Sequence, residues 1–308
     1  MRVGLDIGGT KTAAVVVGRD GSVLHRLTLS TGYGAEAVIR TAVLAVVELA
    51  RLAGADTRAF ESIGIGIPGI VDVATGRVSH AVNLGLRDVD LAGELAGRLG
   101  TAVHVENDVN AAAMGAFHQM GQSGLHSLAY LNLGTGLAAG LVLEGRLWRG
   151  SRGTAGEIGH ICLDQDGPLC ACGQRGCLEL VASGSGVARQ WPTDDPRPVE
   201  ALFRAVVAGE DGALEVWSRL ARSVAAAVRV LVLTIDVERI VIGGGMTSLG
   251  EPLLAAVRGV LDAGAADSAF LSSLSLSERV AMVSGESGVT AAMGAALCGW
   301  PLQVTQPG

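Results

Sequence analysis

His160, Cys170, Cys172 and Cys177 lie in one stretch, GEIGHICLDQDGPLCACGQRGCLE, running from Gly156 to Glu179. Three thiolates and one imidazole fill a tetrahedral zinc shell and leave no position for water. That donor set points to structural zinc rather than a catalytic metal. Glu157 and Glu179 bracket the group, and Gly167, Gly173, Gly176 and Pro168 permit the tight loop that converging sulfurs need. The competing readings are ordinary buried thiols and a disulfide. Three of the five cysteines fall within eight residues, which disfavours the first, and a cytosolic setting disfavours the second. The C-x-C-x4-C spacing is not one of the common zinc-finger spacings, so zinc rests here on residue types more than on spacing.

A second chemistry is written in glycine. Arg2 to Asp6 reads as a strand, Gly8-Gly9-Thr10-Lys11 as a turn, and Ala13 to Val17 as the returning strand. Gly8 and Gly9 let backbone N–H groups approach a phosphate, and Thr10 and Lys11 add donors. Lys11 is the only lysine among the 23 Lys and Arg residues. An ordinary hairpin would read the same way if this turn stood alone. The same grammar returns about 126 positions later, where Leu131-Asn132-Leu133-Gly134 answers Leu5-Asp6-Ile7-Gly8 and Glu144-Gly145 answers Asp20-Gly21. A duplicated hairpin–strand unit, one per domain, accounts for this, with the two glycine turns holding a polyphosphate.

Asp108 follows a strand at Thr101 to Val105, before an alanine-rich helix expected from Ala111 to about Met120. Asn107 or Asp108 is a natural helix cap. A carboxylate at a strand end can also take a proton from a hydroxyl nucleophile. Both roles fit one position. Further on, the strand Ile240-Val241-Ile242 runs into Gly243-Gly244-Gly245, where a nucleotide could lie against bare backbone.

These residues need a scaffold. At 308 residues the chain has room for two domains. Helices are expected at 36–53, 91–99 and 213–234, and a small-residue helix at 288–298 should pack closely on a neighbour. Domain limits of 1–115, joined by a C-terminal helix at 288–308, and 116–287 follow. Hydrophobic residues make up 49% and charged residues 17%, with a net charge of −7 and a pI near 5.4, which argues against a nucleic-acid-binding surface. The N-terminus has no signal-peptide core, and the most apolar helix includes Arg229 and falls short of a membrane span. A soluble cytoplasmic protein without membrane or nucleic-acid partners is expected. Cys162 and Cys298 are expected to be buried thiols.

Together, DIGGTK at 6–11, ENDVNAAAMG at 106–115, LGTG at 133–136, GEIGH at 156–160, CACGQRGCLE at 170–179 and IVIGGG at 240–245 resemble the ROK family of bacterial repressors, open reading frames and sugar kinases. The resemblance covers nearly the whole chain in the family order. It implies an α/β fold of the duplicated, actin-like (ribonuclease H-like) two-domain type, with an interdomain cleft. It further implies an ATP-dependent kinase acting on the 6-hydroxyl of a hexose, glucose being expected, with N-acetylmannosamine and N-acetylglucosamine as alternatives. By motif position Asp108 is the general base. Gly69, Asn83, Asn107, Asp108, Glu157, His160 and Glu179 match sugar-binding positions. Gly8, Gly9, Thr10, Lys11, Gly134, Thr135 and Gly136 match phosphate loops, Asp6 a position near Mg2+, reached through water, and Gly244 and Gly245 the adenosine side. His160 then has one ring nitrogen for zinc and the other for sugar. A homodimer or homotetramer is implied by family habit. Three departures stand out: Ala138-Ala139 where many members have glycines, Ala116 in place of glutamate, and Val82 in place of proline. A sugar-sensing regulator is the rival, but the first phosphate strand begins at Arg2, with no helix-turn-helix before it.

Overall fold

Arg2–Ile7, with almost every side chain buried, forms the first strand, β1. β2 (Lys11–Val17) pairs with it antiparallel, and β3 (Val23–Ser30) extends the hairpin outward. Lys11 therefore opens β2 rather than lying in the turn. Helix α1 (Ala35–Leu52) follows, then β4 (Ile63–Ile67), β5 (Ile70–Asp72), β6 (Arg77–Ala81), β7 (Leu86–Asp90), α2 (Leu91–Leu99), β8 (Val103–Asn107) and α3 (Asp108–Met120). The main sheet has the order β3-β2-β1-β4-β8, with β1, β4 and β8 parallel, and β5, β6 and β7 form a small antiparallel sheet. The computed structural model describes residues 1–121, 124–283, 285 and 287–298.

Val38, Ala42, Ala45 and Leu49 recur at helical spacing and bury one face of α1 in the core with Val3, Leu5, Ile63 and Ile65. The helix Ser287–Cys298, α10 in chain order, packs on β1, β4 and α3. Its backbone comes so close that a Cβ on Gly64 would meet the Ala295 carbonyl oxygen at 1.8 Å, and one on Gly294 would meet the Ala111 oxygen at 1.8 Å. The small residues read from the sequence serve this approach. Residues 299–308, the remainder of the helix expected at 288–308, lie outside the described residues.

The second half repeats the plan. It runs β9 (Ser127–Leu133), β10 (Leu137–Leu143), β11 (Arg146–Leu147), α4 (Glu179–Ala182), α5 (Gly184–Gln190), α6 (Pro198–Ala208), α7 (Ala213–Ile235), β12 (Arg239–Gly243), α8 (Glu251–Ala265), α9 (Ala269–Ser273) and β13 (Val280–Met282). Its sheet order, β11-β10-β9-β12-β13, matches the first strand for strand, with the outer hairpin antiparallel and β9, β12 and β13 parallel. Two equivalent sheets of this order are the duplicated, actin-like α/β fold. Val216, Leu220, Val224 and Leu231 of α7 fill the second core, and Phe203 of α6 tilts against Trp217 with ring centroids 5.3 Å apart.

Two units result, Met1–Gly124 with Gly285–Gly308, and Leu125–Ser284. The first break thus follows residue 124 rather than 115. Helix α3 is continuous to Met120 and is held against α10 along its length, Gly115 lying where a Cβ would meet the Thr290 oxygen at 2.0 Å.

Candidate functional site

In the first unit two of the three parallel strands lead into carboxylates. Asp6 stands near the end of β1, and Asp108 begins α3 directly after β8. The helix starts at Asp108 rather than Ala111 because Asn107 caps it, its Oδ1 accepting from the N–H groups of Val109 at 3.0 Å and Asn110 at 3.2 Å. Asn107 Nδ2 donates to the Gly69 carbonyl at 3.4 Å. Gly69 has φ +105°, and a Cβ there would strike the His80 oxygen at 1.9 Å, so only glycine serves. Burial, with the Asp108 charge second, raises the Asp6 carboxyl to about 8. A second carboxylate held near a desolvated one is a donor set that a hard divalent cation satisfies.

The first glycine turn closes with the Gly8 N–H on the Lys11 carbonyl at 2.9 Å. Thr31, fully buried and unmarked in the sequence reading, donates its hydroxyl to the Gly8 carbonyl at 2.7 Å and lies 2.9 Å from the Thr12 hydroxyl. Gly9, Thr10 and Lys11 are exposed, and so is Asn83, which sits beside Gly9. Glu106 was also missed. It is 3% exposed, and its Oε1 accepts from the Asn107 N–H and from Asn110 Nδ2, both at 3.0 Å.

In the second unit the ligand atoms of His160, Cys170, Cys172 and Cys177 lie within 4.8 Å of one another. Cys172 and Cys177 sulfurs are 3.5 Å apart, and His160 Nδ1 is 3.8 Å from Cys170 Sγ. Tetrahedral zinc with its usual Zn–S bonds sets sulfurs about 3.8 Å apart, so the four residues fit the ion. Nδ1 faces the thiols, which leaves Nε2 as the imidazole's other contact. The loop folds on itself through Cys170 N–H to Gln174 O at 2.7 Å and Gly176 N–H to Pro168 O at 2.9 Å. The Gln174 amide, with neighbouring thiols, draws the Cys172 thiol down to about 6, while burial pushes Cys177 up to about 12. Cys162 is exposed, contrary to expectation, because it sits at the rim of this loop, and Cys298 is only half-buried.

Glu157 precedes the 3₁₀ turn Ile158–His160, which rests on β10 through Gly159 and the Ala139 N–H to Gly156 O bond at 2.8 Å. Ala139 is thus an ordinary strand residue whose amide holds this turn. Glu179 accepts from the Leu137 N–H at 2.9 Å, just beyond the second glycine turn. That turn is braced by α5, with Gly184 N–H on the Gly134 carbonyl and Ser185 Oγ on the Thr135 carbonyl, both at 2.8 Å. Gly244, at φ +85°, lies against the end of β9, where a Cβ would meet Leu133 O at 2.6 Å; Gly245 opens the next 3₁₀ turn. Within this unit Gly134, Thr135, Gly136, Gly244 and Glu179 therefore share one end of the sheet.

A family model described as ROK family matches residues 2–297. The chain belongs to the ROK family. Among ROK-family and other relatives, the glucokinase of Halalkalibacterium halodurans is 33% identical over 275 residues, covering 83% of each chain. The N-acetylmannosamine kinase of Pasteurella multocida is 32% identical over 263 residues, covering 84% of this chain and 85% of the relative. A solved ROK family glucokinase from Streptomyces griseus, in complex with glucose and AMPPNP, superposes with a TM-score of 0.78 at 30% identity, covering 96% of this chain and 97% of that one.

Proposed function

We propose that this ROK-family chain is an ATP-dependent sugar kinase that transfers the γ-phosphate to the 6-hydroxyl of a hexose, with glucose as the substrate. The placement of Asp108 carries the reading: it sits at the carboxyl end of β8 on a capped helix start, close enough to Asp6 to raise its pKa. Kinship to proteins named glucokinase at 33% identity supports the substrate. The comparably similar N-acetylmannosamine kinase makes that sugar the second reading.

Phosphoryl transfer needs positioning and charge stabilisation more than covalent help. Asp108 accepts the proton of the sugar hydroxyl. The family resemblance assigns sugar hydroxyls to Gly69, Asn83, Asn107, Glu157, Glu179 and His160 Nε2. Backbone amides of Gly8–Lys11 and Gly134–Gly136 hold phosphate oxygens, and Gly244 and Gly245 leave room for the adenosine. Asp6 would hold Mg2+, which would supply positive charge at the phosphate oxygens. His160, Cys170, Cys172 and Cys177 would hold zinc, which would fix the orientation of the imidazole.

An ADP-release assay across glucose, N-acetylmannosamine, N-acetylglucosamine and fructose tests this. Glucose should give the highest kcat/KM. Tight sugar binding without ATP turnover on any of the four would instead mark a sugar-sensing regulator.

A further inference from the structure

A cavity of about 160 Å³ lies between the cysteine loop and α7, on residues to which the proposed reaction gives no role beyond Cys177. One wall is apolar, built from Leu163, Pro168, Leu180 and Val181. The other carries Arg219, Arg222 and Ser223, which share a face of α7 by their i, i+3, i+4 spacing. Among the described residues, neither the Arg222 guanidinium nor the Ser223 hydroxyl has a hydrogen-bond or ion-pair partner. Arg219 has one ion pair, at 3.4 Å to Glu215. Asp164, the only acid on the lining, already accepts from the Asp166 N–H at 3.1 Å.

Uncommitted donors facing an apolar wall call for an acceptor-only head on an apolar body. Arg219 is paired with Glu215 and Asp164 already takes a backbone N–H, which leaves the Arg222 guanidinium as the unpaired cation on the lining: one guanidinium matches one carboxylate better than a multiply charged phosphate. We propose that this cavity is a binding site for a small monocarboxylate with a branched or aromatic apolar body. Leu178 and Leu180, both on the lining, flank Glu179 in sequence, so an occupant packs against the segment that hands Glu179 to the Leu137 amide.

Calorimetric titration of the zinc-loaded full chain with 4-methylpentanoate, its neutral amide and inorganic phosphate tests the site without any enzyme assay, so its outcome is separable from that of the kinase reading. The carboxylate should bind the wild type and bind Arg222→Gln at least about tenfold more weakly, the loss of a charge-assisted hydrogen bond. The amide should bind as weakly to the wild type as the carboxylate does to the variant. Ser223→Ala, a change at a half-buried helix position, should weaken the carboxylate in the same direction. Equal affinity in wild type and Arg222→Gln overturns the proposal. So does phosphate competing as well as the carboxylate, or no heat up to about 10 mM, the weak end for a ligand of this size.

Discussion

The Leu137 amide donates to the Glu179 carboxylate at 2.9 Å, joining the end of the cysteine loop to the start of β10 just after the second glycine turn. Glu179 thus has a backbone to hold as well as a proposed sugar hydroxyl to bind. Leu137 is buried, so Glu179→Ala leaves its N–H unpaired, which costs about 1–3 kcal/mol. Denaturant unfolding should show that loss, whereas Glu179→Gln, which keeps an acceptor, should retain most of the stability. Equal stabilities for the two variants would contradict the role.

Asp108→Asn should lower kcat by roughly 10²–10⁴ while sugar affinity changes little, because the amide keeps the shape but takes no proton. Binding calorimetry beside steady-state kinetics separates the two. A variant turning over at the wild-type rate would remove Asp108 as the base.

Glu106 fixes the Asn107 N–H and the Asn110 amide from a buried position. Glu106→Ala should therefore lower both stability and kcat, since the capped start of α3 carries Asp108. A variant with normal kcat but reduced stability would leave Glu106 a purely structural residue.

Asp6 yields a pH prediction. Its folded pKa, about 8 through burial and then Asp108, lies above the ordinary carboxyl value. Such a group favours the fold fully below its unfolded pKa, and that contribution disappears as pH rises through the folded one. In metal-free protein the wild type should lose thermal stability between about pH 4 and pH 9 more steeply than Asp6→Asn, leaving the variant the more stable at the alkaline end. Calorimetric scans across that range give the comparison, and parallel profiles would refute it.

Elemental analysis should find about one zinc per chain, and Cys172→Ser should reduce that content and weaken sugar binding through the His160 turn. Full metal content in the variant would exclude Cys172 as a ligand.

Much of this was legible in the sequence because the signals were local. The glycine turns at 8–9 and 134–136, the three clustered cysteines with His160, and the strand at Ile240–Ile242 each declare themselves within a few positions. The repeated hairpin even announced the matching of two sheets whose strand orders agree. Long-range choices were not legible. Thr31 braces Gly8 from 23 positions away. Cys162 looked like a core thiol until the loop around it placed it on the rim. The start of α3 at Asp108 depended on how well Asn107 could cap, which residue type suggests but geometry settles.

The glycines that bring α10 against β1 and β4 have a consequence for how the chain is made. A Cβ on Gly4 would strike the Ala292 oxygen at 1.8 Å, so the opening strand is completed by a helix translated only after all of Leu125–Ser284. On the ribosome the N-terminal sheet must wait with one face bare, whereas the inserted unit has every strand it needs while synthesis is still under way. The N-terminal unit can therefore complete its packing only after the inserted unit and α10 have been synthesised.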